Sequence, residues 1–177
     1  MELSNAIHSR ASIRAYTDAP VTSEQLDALM KAAVRAPNAC NMQSWHFYAV
    51  ADKAVIDGFQ DKVLHIGWIK ETSLIIVVCL NEDVVSKLTD MFGERGRMYA
   101  TQDSAAAIEN ILLTATDLGL GACWMGPMNV EQCKLHLNMP ENHTPVALLT
   151  IGNPAQNPAP RGRKPLEETF TVIGSLE

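Results

Sequence analysis

Leu74-Ile75-Ile76-Val77-Val78-Cys79-Leu80 is the stretch that decides the fold, because it is the longest uninterrupted apolar run in the chain. Aliphatic and β-branched side chains fill the run, and polar residues stand on both sides of it. A run of this length and composition is typical of a strand that is buried on both faces. The sequence therefore predicts such a strand over residues 74–80.

Helices and strands alternate on either side of this run. Thr22-Ser23-Glu24-Gln25 has the pattern of a capping box, and the apolar residues after it recur with helical spacing until Ala36-Pro37-Asn38 ends the helix. Trp45–Val50 has the composition of a second strand. The other predicted elements are helices up to about Ser9, over 54–64 and over 130–137, and strands over 122–125 and 146–151.

The longest predicted helix covers residues 99–118. Charged side chains interrupt it only at Asp103, Glu109 and Asp117, so alanine, leucine and isoleucine cover most of its circumference. A helix that is apolar nearly all round lies at the centre of a protein or in an interface. The stretch 89–99 is charged and contains glycine, which predicts an excursion on the surface.

Length and composition favour one domain over residues 1–177, because 177 residues that are 47% hydrophobic can form a full core. Residues 153–177 are rich in proline and arginine, and we expect them to run across a neighbouring surface as a tail. The four cysteines lack the spacing of metal ligands, and Cys79 and Cys123 lie in apolar runs, which is typical of buried thiols in a reducing compartment. The sequence predicts no metal site.

Charge and hydropathy narrow the choice of partners. The formal net charge is -6 and the chain has no basic stripe, which argues against nucleic acid as a partner. The first residues lack the pattern of a signal peptide, and no apolar stretch approaches the length of a membrane span. We therefore expect a cytoplasmic protein that does not associate with membranes.

Against this acidic background, Arg10-Ala11-Ser12-Ile13-Arg14 places two guanidinium groups and a hydroxyl close together. The planar fork of arginine matches the oxygens of a phosphate, and serine adds one more donor in a small volume. The pattern indicates a site for a buried anion. The alternative is a solvated surface stretch that follows the first helix.

No other motif in the sequence supplies a reaction. The five histidines are scattered, and there is neither a nucleophile elbow nor a phosphate-binding P-loop. Gly119-Leu120-Gly121 has half of a dinucleotide fingerprint, but it follows a helix where that fingerprint follows a strand. An enzyme with this sequence would therefore rely on a tightly held cofactor.

Taken together, five short motifs resemble the successive motifs of the FMN-dependent nitroreductase family. They occur in the same order and span nearly the whole chain. The motifs are Arg10-x-Ser12-x-Arg14-x-Tyr16, Arg35-Ala36-Pro37-Asn38-x-x-Asn41-x-Gln43-x-Trp45, Gly119-Leu120-Gly121-x-Cys123-Trp124-Met125-Gly126, Ile151-Gly152-Asn153-Pro154-Ala155 and Arg161-x-Arg163-Lys164-Pro165-Leu166-Glu167-Glu168.

The resemblance implies an α+β fold with a mixed, largely antiparallel sheet flanked by helices, built as an intertwined homodimer. FMN would lie at the dimer interface, and both subunits would line each site. The apolar helix 99–118 would form the dimer core, and the tail 153–177 would embrace the partner. The implied activity is a ping-pong reaction in which NADH or NADPH reduces FMN, and a nitroaromatic, quinone or similar small molecule then takes the electrons.

The resemblance also implies roles for particular residues, none of them catalytic, because the flavin carries the chemistry. Arg10 and Ser12 would bind the FMN phosphate, and Arg14 would either join them or lie at the N1 and C2 carbonyl edge of the flavin. Arg163, together with Arg161, would close on the same phosphate. Ala11 belongs to the same phosphate-binding stretch.

Other positions match the family where it contacts the ring and the ribityl chain. The partner subunit would place Pro37, Asn38, Ala39 and Asn41 against the flavin. The turn formed by Trp124, Met125 and Gly126 would pass beside N5 and the C4 carbonyl, although the family often has an acidic residue where Met125 stands. Gln102 matches a position that contacts the cofactor, and His65 either lies near the uracil edge or is an ordinary core or surface histidine.

Two alternatives stay open at the level of sequence. A relative in this family could use reduced flavin for a specialised reaction such as dehalogenation, with residues 81–97 in a lid over the flavin. The chain could also be a flavin-binding regulatory or storage module with little turnover.

Overall fold

The computed structural model describes residues 1–159 and 161–175, so residues 160, 176 and 177 of the predicted tail lie outside it. It contains a four-stranded sheet with the spatial order β1-β2-β4-β3, in which each adjacent pair of strands is antiparallel. The strands are β1 (Trp45–Val50), β2 (Leu74–Asn81), β3 (Gly121–Met125) and β4 (His143–Gly152). A parallel bridge between Ser12 and Ala122 lies beside β3. The predicted α+β fold with a largely antiparallel sheet is confirmed, whereas the homodimer stays a prediction.

Six α-helices surround this sheet in the part of the chain that the structure describes. They are α1 (Leu3–Ser9), α2 (Ser23–Ala33), α3 (Lys53–Phe59), α4 (Glu82–Phe92), α5 (Arg95–Asp117) and α6 (Val130–His136). The predicted capping box is present at α2, where the Thr22 side chain accepts from the backbone N–H of Gln25 and the Gln25 side chain accepts from the N–H of Thr22. The predicted helix 54–64 consists of α3 and one π-helical turn, Gln60–Leu64.

Strand β2 lies in the middle of the protein because its alternate side chains enter two separate cores. Ile76 and Val78 pack in a cluster with residues of α2 and α5, whereas Ile75 and Val77 pack in a cluster with residues of α3 and α6. Every residue of β2 up to Leu80 is buried. Burial of each such aliphatic side chain contributes about 1.5 to 3 kcal/mol, so this strand anchors the layers on both of its faces.

The stretch 89–99 lies on the surface as predicted, since every residue in it except Gly96 and Tyr99 is exposed, but α4 and α5 cover most of it and make it helical. The Asn81 side chain caps α4 by accepting from the N–H of Asp83 at 3.1 Å. Gly93, at φ 63°, makes the turn between the two helices. At Gly96 the helices approach so closely that a Cβ would lie 2.4 Å from the backbone of Leu88. Residues 81–97 are therefore a packed helical hairpin, and Val85 and Leu88 form its buried face.

The tail differs from the rest of the chain in its exposure. All residues over 161–175 are exposed, and their only regular element is a short 3-10 turn, Leu166–Glu168. Four large apolar side chains of the tail point to solvent in the single chain: Leu166, Phe170, Val172 and Ile173. A segment of this kind lacks the apolar contacts that order a chain within its own subunit.

The cysteines are free thiols, as the sequence predicts. Cys79, Cys123 and Cys133 are buried and Cys40 is exposed. Among the described helices, none combines the length and the hydropathy that a membrane crossing requires.

Candidate functional site

The segment 10–14 is fixed along the open edge of β3. The N–H of Ile13 donates to the carbonyl of Ala122 at 2.9 Å, and the Ile13 side chain is buried. Three residues further on, the buried Tyr16 hydroxyl donates to the carbonyl of Ile13 at 2.7 Å and contacts Thr150 Oγ1 at 2.9 Å. Side chains alternate along an extended chain, so the inward Ile13 leaves Ser12 and Arg14 on the opposite side of the segment.

Arg10, Ser12 and Arg14 lie on one short segment that is bonded to β3 at Ala122, next to the buried Cys123. Burial raises the pKa of the Cys123 thiol, while the nearby Arg14, Ser12 and Arg10 oppose that shift. None of the ion pairs among the described residues involves Arg10 or Arg14. Two neighbouring guanidinium groups without a carboxylate partner, together with a hydroxyl, form a donor set that suits a phosphate. These residues therefore fit the phosphate of FMN.

The loop 37–43 has an unusual backbone. Ala39–Asn41 forms a single 3-10 turn, and Cys40, Asn41 and Gln43 have φ angles of 52°, 54° and 52°. The left-handed conformation costs about 1 to 2 kcal/mol for each residue other than glycine. Asn38 stabilises the loop internally, because its side-chain oxygen accepts from the N–H of Gln43 at 2.8 Å. Strain of this kind is found often at functional sites.

Asp103 of α5 holds the loop from outside. Its two carboxylate oxygens both lie 3.0 Å from the backbone nitrogen of Ala39, which donates to them. Burial raises the pKa of Asp103, and the hydrogen bond from Ala39 acts in the opposite direction. The neighbouring Gln102 is exposed on the same helix. Sequence reasoning missed this role, although a carboxylate on a largely apolar helix was a usable signal.

The predicted turn at the end of β3 contains one exposed and one buried side chain. The Trp124 side chain is 42% exposed, whereas that of Met125 is buried in the core beneath the sheet. A contact between Met125 and a cofactor would therefore come from its backbone. At Gly126 a Cβ would meet no atom of this chain within 4 Å, so the space beside this residue is open to a ligand.

Three predicted residues lie on exposed segments. His65 is exposed and left-handed, at φ 53°, directly after the π-helical turn. Arg161 and Arg163 are exposed in the tail, where the Arg163 guanidinium donates to the carbonyls of Arg161 and Gly162 at 3.1 and 3.2 Å. Within the described residues, no hydrogen bond or ion pair joins these three side chains to the segment 10–14 or to the loop 37–43.

Two clefts of about 220 and 430 Å³ lie at α1, away from the predicted site. The residues that line them are Met1, Leu3, Asn5, Ala6, His8, Ser9, Leu113, Thr114 and Asp117. None of the predicted site residues is among them.

Comparisons with known proteins agree with this geometry. The sequence profile of the Nitroreductase family matches residues 7–75 and 66–153. A protein of Methanothermobacter thermautotrophicus, provisionally named an NADH dehydrogenase/NAD(P)H nitroreductase, is 32% identical over 165 residues, which cover 91% of this chain and 82% of that protein. The FMN reductase (NAD(P)H) of Bacillus subtilis is 28% identical over 177 residues, which cover 94% of this chain and 71% of that protein.

A solved structure extends the agreement to three dimensions. The crystal structure of a provisionally named nitroreductase from Desulfovibrio desulfuricans, in complex with FMN, matches with a TM-score of 0.82 and 28% identity, and the match covers 98% of each chain. The family profile covers most of the chain and includes the segment 10–14, the loop 37–43 and strand β3. The chain therefore belongs to the nitroreductase family.

Proposed function

We propose that this protein is an FMN-dependent oxidoreductase that takes electrons from NADH or NADPH and delivers them to a nitroaromatic, quinone or similar acceptor. The observation that carries the proposal is that Arg10, Ser12 and Arg14 share one segment bonded to the edge of β3, where neither arginine forms an ion pair with a described residue. The names of the relatives support the same chemistry, since they include an FMN reductase and a nitroreductase in complex with FMN.

In this proposal the segment 10–14 binds the phosphate. The guanidinium of Arg10 and the hydroxyl of Ser12 donate to phosphate oxygens, while Ala11 lies between them in the chain. Arg161 and Arg163 of the tail supply further positive charge to the same anion. Hydrogen bonds to a charged group are worth about 1.5 to 3 kcal/mol each, so a few of them retain the cofactor.

Other residues position the ring. The exposed Trp124 and the open space at Gly126 provide a surface on which the flavin fits, and Gln102 and His65 offer polar contacts at its border. Pro37, Asn38, Ala39 and Asn41 approach the flavin from the partner subunit. Arg14, as the most exposed cation of its segment, either joins the phosphate or stabilises negative charge at the N1 and C2 carbonyl edge.

When bound, FMN supplies the redox chemistry by accepting hydride from NADH or NADPH and passing the electrons to a second substrate. The chain contributes orientation and electrostatics. A flavin bound on the open surface beside Gly126 would stay accessible from solvent on its other side, which leaves room for each substrate in turn, as a ping-pong order requires. The buried side of the site is closed to water by Ile13, Cys123 and Met125.

The homodimer in this proposal depends on the tail as well as on α5. Leu166, Phe170, Val172 and Ile173 are exposed in the single chain, and a second copy would bury them. A chain that ends after Asn157 keeps the hydrogen bond from Ala155 to Ala15 and should elute as a folded monomer. A stable dimer of the shortened chain in size-exclusion chromatography with light scattering would contradict the role of the tail.

The phosphate assignment can be tested with Arg10→Ala and Arg163→Ala, and Lys87→Ala on α4 removes an exposed cation elsewhere as a control. We expect the dissociation constant for FMN to rise about tenfold or more for each arginine variant, because each lost interaction is worth about 1.4 kcal/mol or more. The combined variant should purify without colour. A yellow double variant with stoichiometric FMN would overturn the assignment.

Turnover separates the enzyme from a flavin-binding storage or regulatory module. Under anaerobic conditions, addition of NADH or NADPH to the FMN-loaded protein should bleach the flavin absorbance, and addition of a quinone or nitroaromatic should restore it. Flavin that stays oxidised with both nucleotides would contradict the proposed activity and favour the module.

A further inference from the structure

Asp103 is a buried carboxylate that the proposed activity does not yet use. Its residue is only 8% exposed, and it lies on the inward face of α5 among Ala100, Ser104 and Ala107. Within the described residues its carboxylate forms no ion pair, and its hydrogen bonds are the two from the backbone N–H of Ala39 at 3.0 Å.

This carboxylate reduces the stability of the folded chain at neutral pH. Burial raises its pKa more than the Ala39 N–H lowers it, so the folded protein binds the proton more tightly than the unfolded protein does. Stability from such a group is present at low pH and is lost as the pH rises through the folded pKa. A residue of similar size without charge would therefore fit this position with less cost.

What Asp103 provides is a fixed position for the loop 37–43. The other hydrogen bonds of the loop are formed with residues 36–43 themselves, so within the described residues the bond to Asp103 is the one that ties the loop to another element. Ala39 and Met42 also pack on a small cluster around Leu80 and Leu88. Apolar contacts of this kind keep the loop packed against the helices, whereas the hydrogen bond from Ala39 to Asp103 fixes the orientation of its backbone.

We propose that Asp103 is a positioning residue of the flavin site, which fixes Asn38 and Asn41 in the conformation that FMN requires by accepting the N–H of Ala39. This inference rests on the proposed function, because the loop acts on the flavin bound by a second copy of the chain. Asp103 itself need not touch the flavin. It acts through Ala39, and Gln102 is the residue of this helix turn that points outward.

The test compares Asp103→Leu, which cannot accept a hydrogen bond, with Asp103→Asn, which can. Asp90→Asn, on the exposed side of α4, is the control. For Asp103→Leu we expect the dissociation constant for FMN to rise about tenfold or more, while the melting temperature of the flavin-free protein does not fall. For Asp103→Asn the dissociation constant should stay within about threefold of the original.

Hydrogen exchange of the Ala39 amide supplies a readout that needs no flavin. The amide should exchange faster in flavin-free Asp103→Leu than in the unchanged protein, because it has lost its acceptor. Unchanged exchange at Ala39, FMN affinity of Asp103→Leu within about twofold of the original, or equal losses in the Leu and Asn variants would each overturn the inference. If the unchanged protein binds no FMN, the proposed function fails, and the exchange rates still decide whether Asp103 holds the loop.

Discussion

The segment 10–14 and the loop 37–43 are both predicted to line the flavin, yet the chain holds them in opposite ways. The first is extended, lies against β3 through a parallel bridge, and carries its buried anchor Ile13. The second contains three left-handed residues and is tied to α5 through one carboxylate. The segment 10–14 is thus bonded to the edge of the sheet, whereas the loop 37–43 has a strained backbone and is held by a side chain of α5.

The different conformations of the segment 10–14 and the loop 37–43 suit their different roles in a site shared by two subunits. A phosphate needs a fixed set of cations, and an extended segment bonded to a sheet provides it. A loop that reaches toward a second subunit needs an unusual shape, and it obtains that shape at a cost in local strain. The segment 10–14 would therefore serve the flavin of its own subunit, and the loop 37–43 would serve the flavin of the partner.

The largest effect is expected where the segment 10–14 meets β3. A Cβ at Gly121 would lie 2.7 Å from Cγ2 and 2.8 Å from Cβ of Ile13, so Gly121→Ala must displace the segment. We expect a loss of about 1 to 3 kcal/mol in unfolding free energy and a dissociation constant for FMN that rises about tenfold or more. Urea unfolding and flavin fluorescence measure the two effects.

The control for this variant is Gly67→Ala, because a Cβ there would meet nothing within 4 Å. It should change neither stability nor FMN affinity. If Gly121→Ala bound FMN as tightly as the unchanged protein, the segment 10–14 would not depend on its contact with β3, and the contrast between the two regions would disappear.

Substitution by glycine should have a smaller effect on the unfolding free energy, and the sign of that effect should differ between the loop 37–43 and the extended chain after the segment 10–14. Gln43 is exposed at φ 52°, so Gln43→Gly should relieve strain and raise the unfolding free energy by up to about 1 kcal/mol. Ala15, in the extended stretch that follows Arg14, has no positive φ, so Ala15→Gly should lower it by about 0.5 to 1 kcal/mol. Equal losses in both variants would show that the loop is not strained.

The smallest expected effect is a pH dependence of the unfolding free energy, which arises from His143 in strand β4. Burial, together with His46, lowers the pKa of His143, whose Nδ1 lies 2.6 Å from the Tyr48 hydroxyl, although Asp83 acts in the opposite direction. The folded protein therefore binds this proton more weakly than the unfolded protein does. Its contribution to stability is present above the ordinary pKa of about 6.5 and is lost as the pH falls below that value.

Urea unfolding at pH 7.5 and pH 5.5 measures this loss, and His143→Gln should make the pH dependence flatter. An identical slope in the variant would rule out His143 as the cause. The same unfolding experiments with FMN bound would show whether the segment 10–14 and the loop 37–43 lose stability together with the sheet or independently of it.

The sequence was informative where the determinants of structure are local. The apolar run of β2 and the capping box at Thr22 are visible in short windows, and both lie in the structure as predicted. The pair Arg10 and Arg14 is visible in the same way, and its role stays a prediction. Helix α5 was predicted over 99–118, but α4 was missed because charged residues mask the helical spacing of Val85 and Leu88. In that stretch the cap at Asn81 was the overlooked signal.

The loop 37–43 could not be predicted in the same way. Left-handed backbone at Cys40 and Gln43 is not indicated by their residue types, since only glycine, asparagine and aspartate adopt it readily. The acceptor that fixes the loop, Asp103, lies 64 residues away in the sequence from Ala39. A contact of that range depends on how α5 packs, which no short window contains.

The most direct measurement is the FMN content of a heterodimer. One chain carries Arg10→Ala, and the other carries Asn38→Ala with Asn41→Ala, and two different affinity tags allow the mixed dimer to be purified. If each flavin is bound by the segment 10–14 of one chain and the loop 37–43 of the other, one site of this dimer contains all the lesions and the other contains none. At a free FMN concentration close to the dissociation constant of the unchanged protein, the dimer should then hold about half of the normal FMN. Both homodimers should be largely empty at that concentration, because a tenfold loss of affinity is enough to leave them unfilled. A heterodimer as empty as the homodimers would contradict the shared site, because each site would then be built from a single chain.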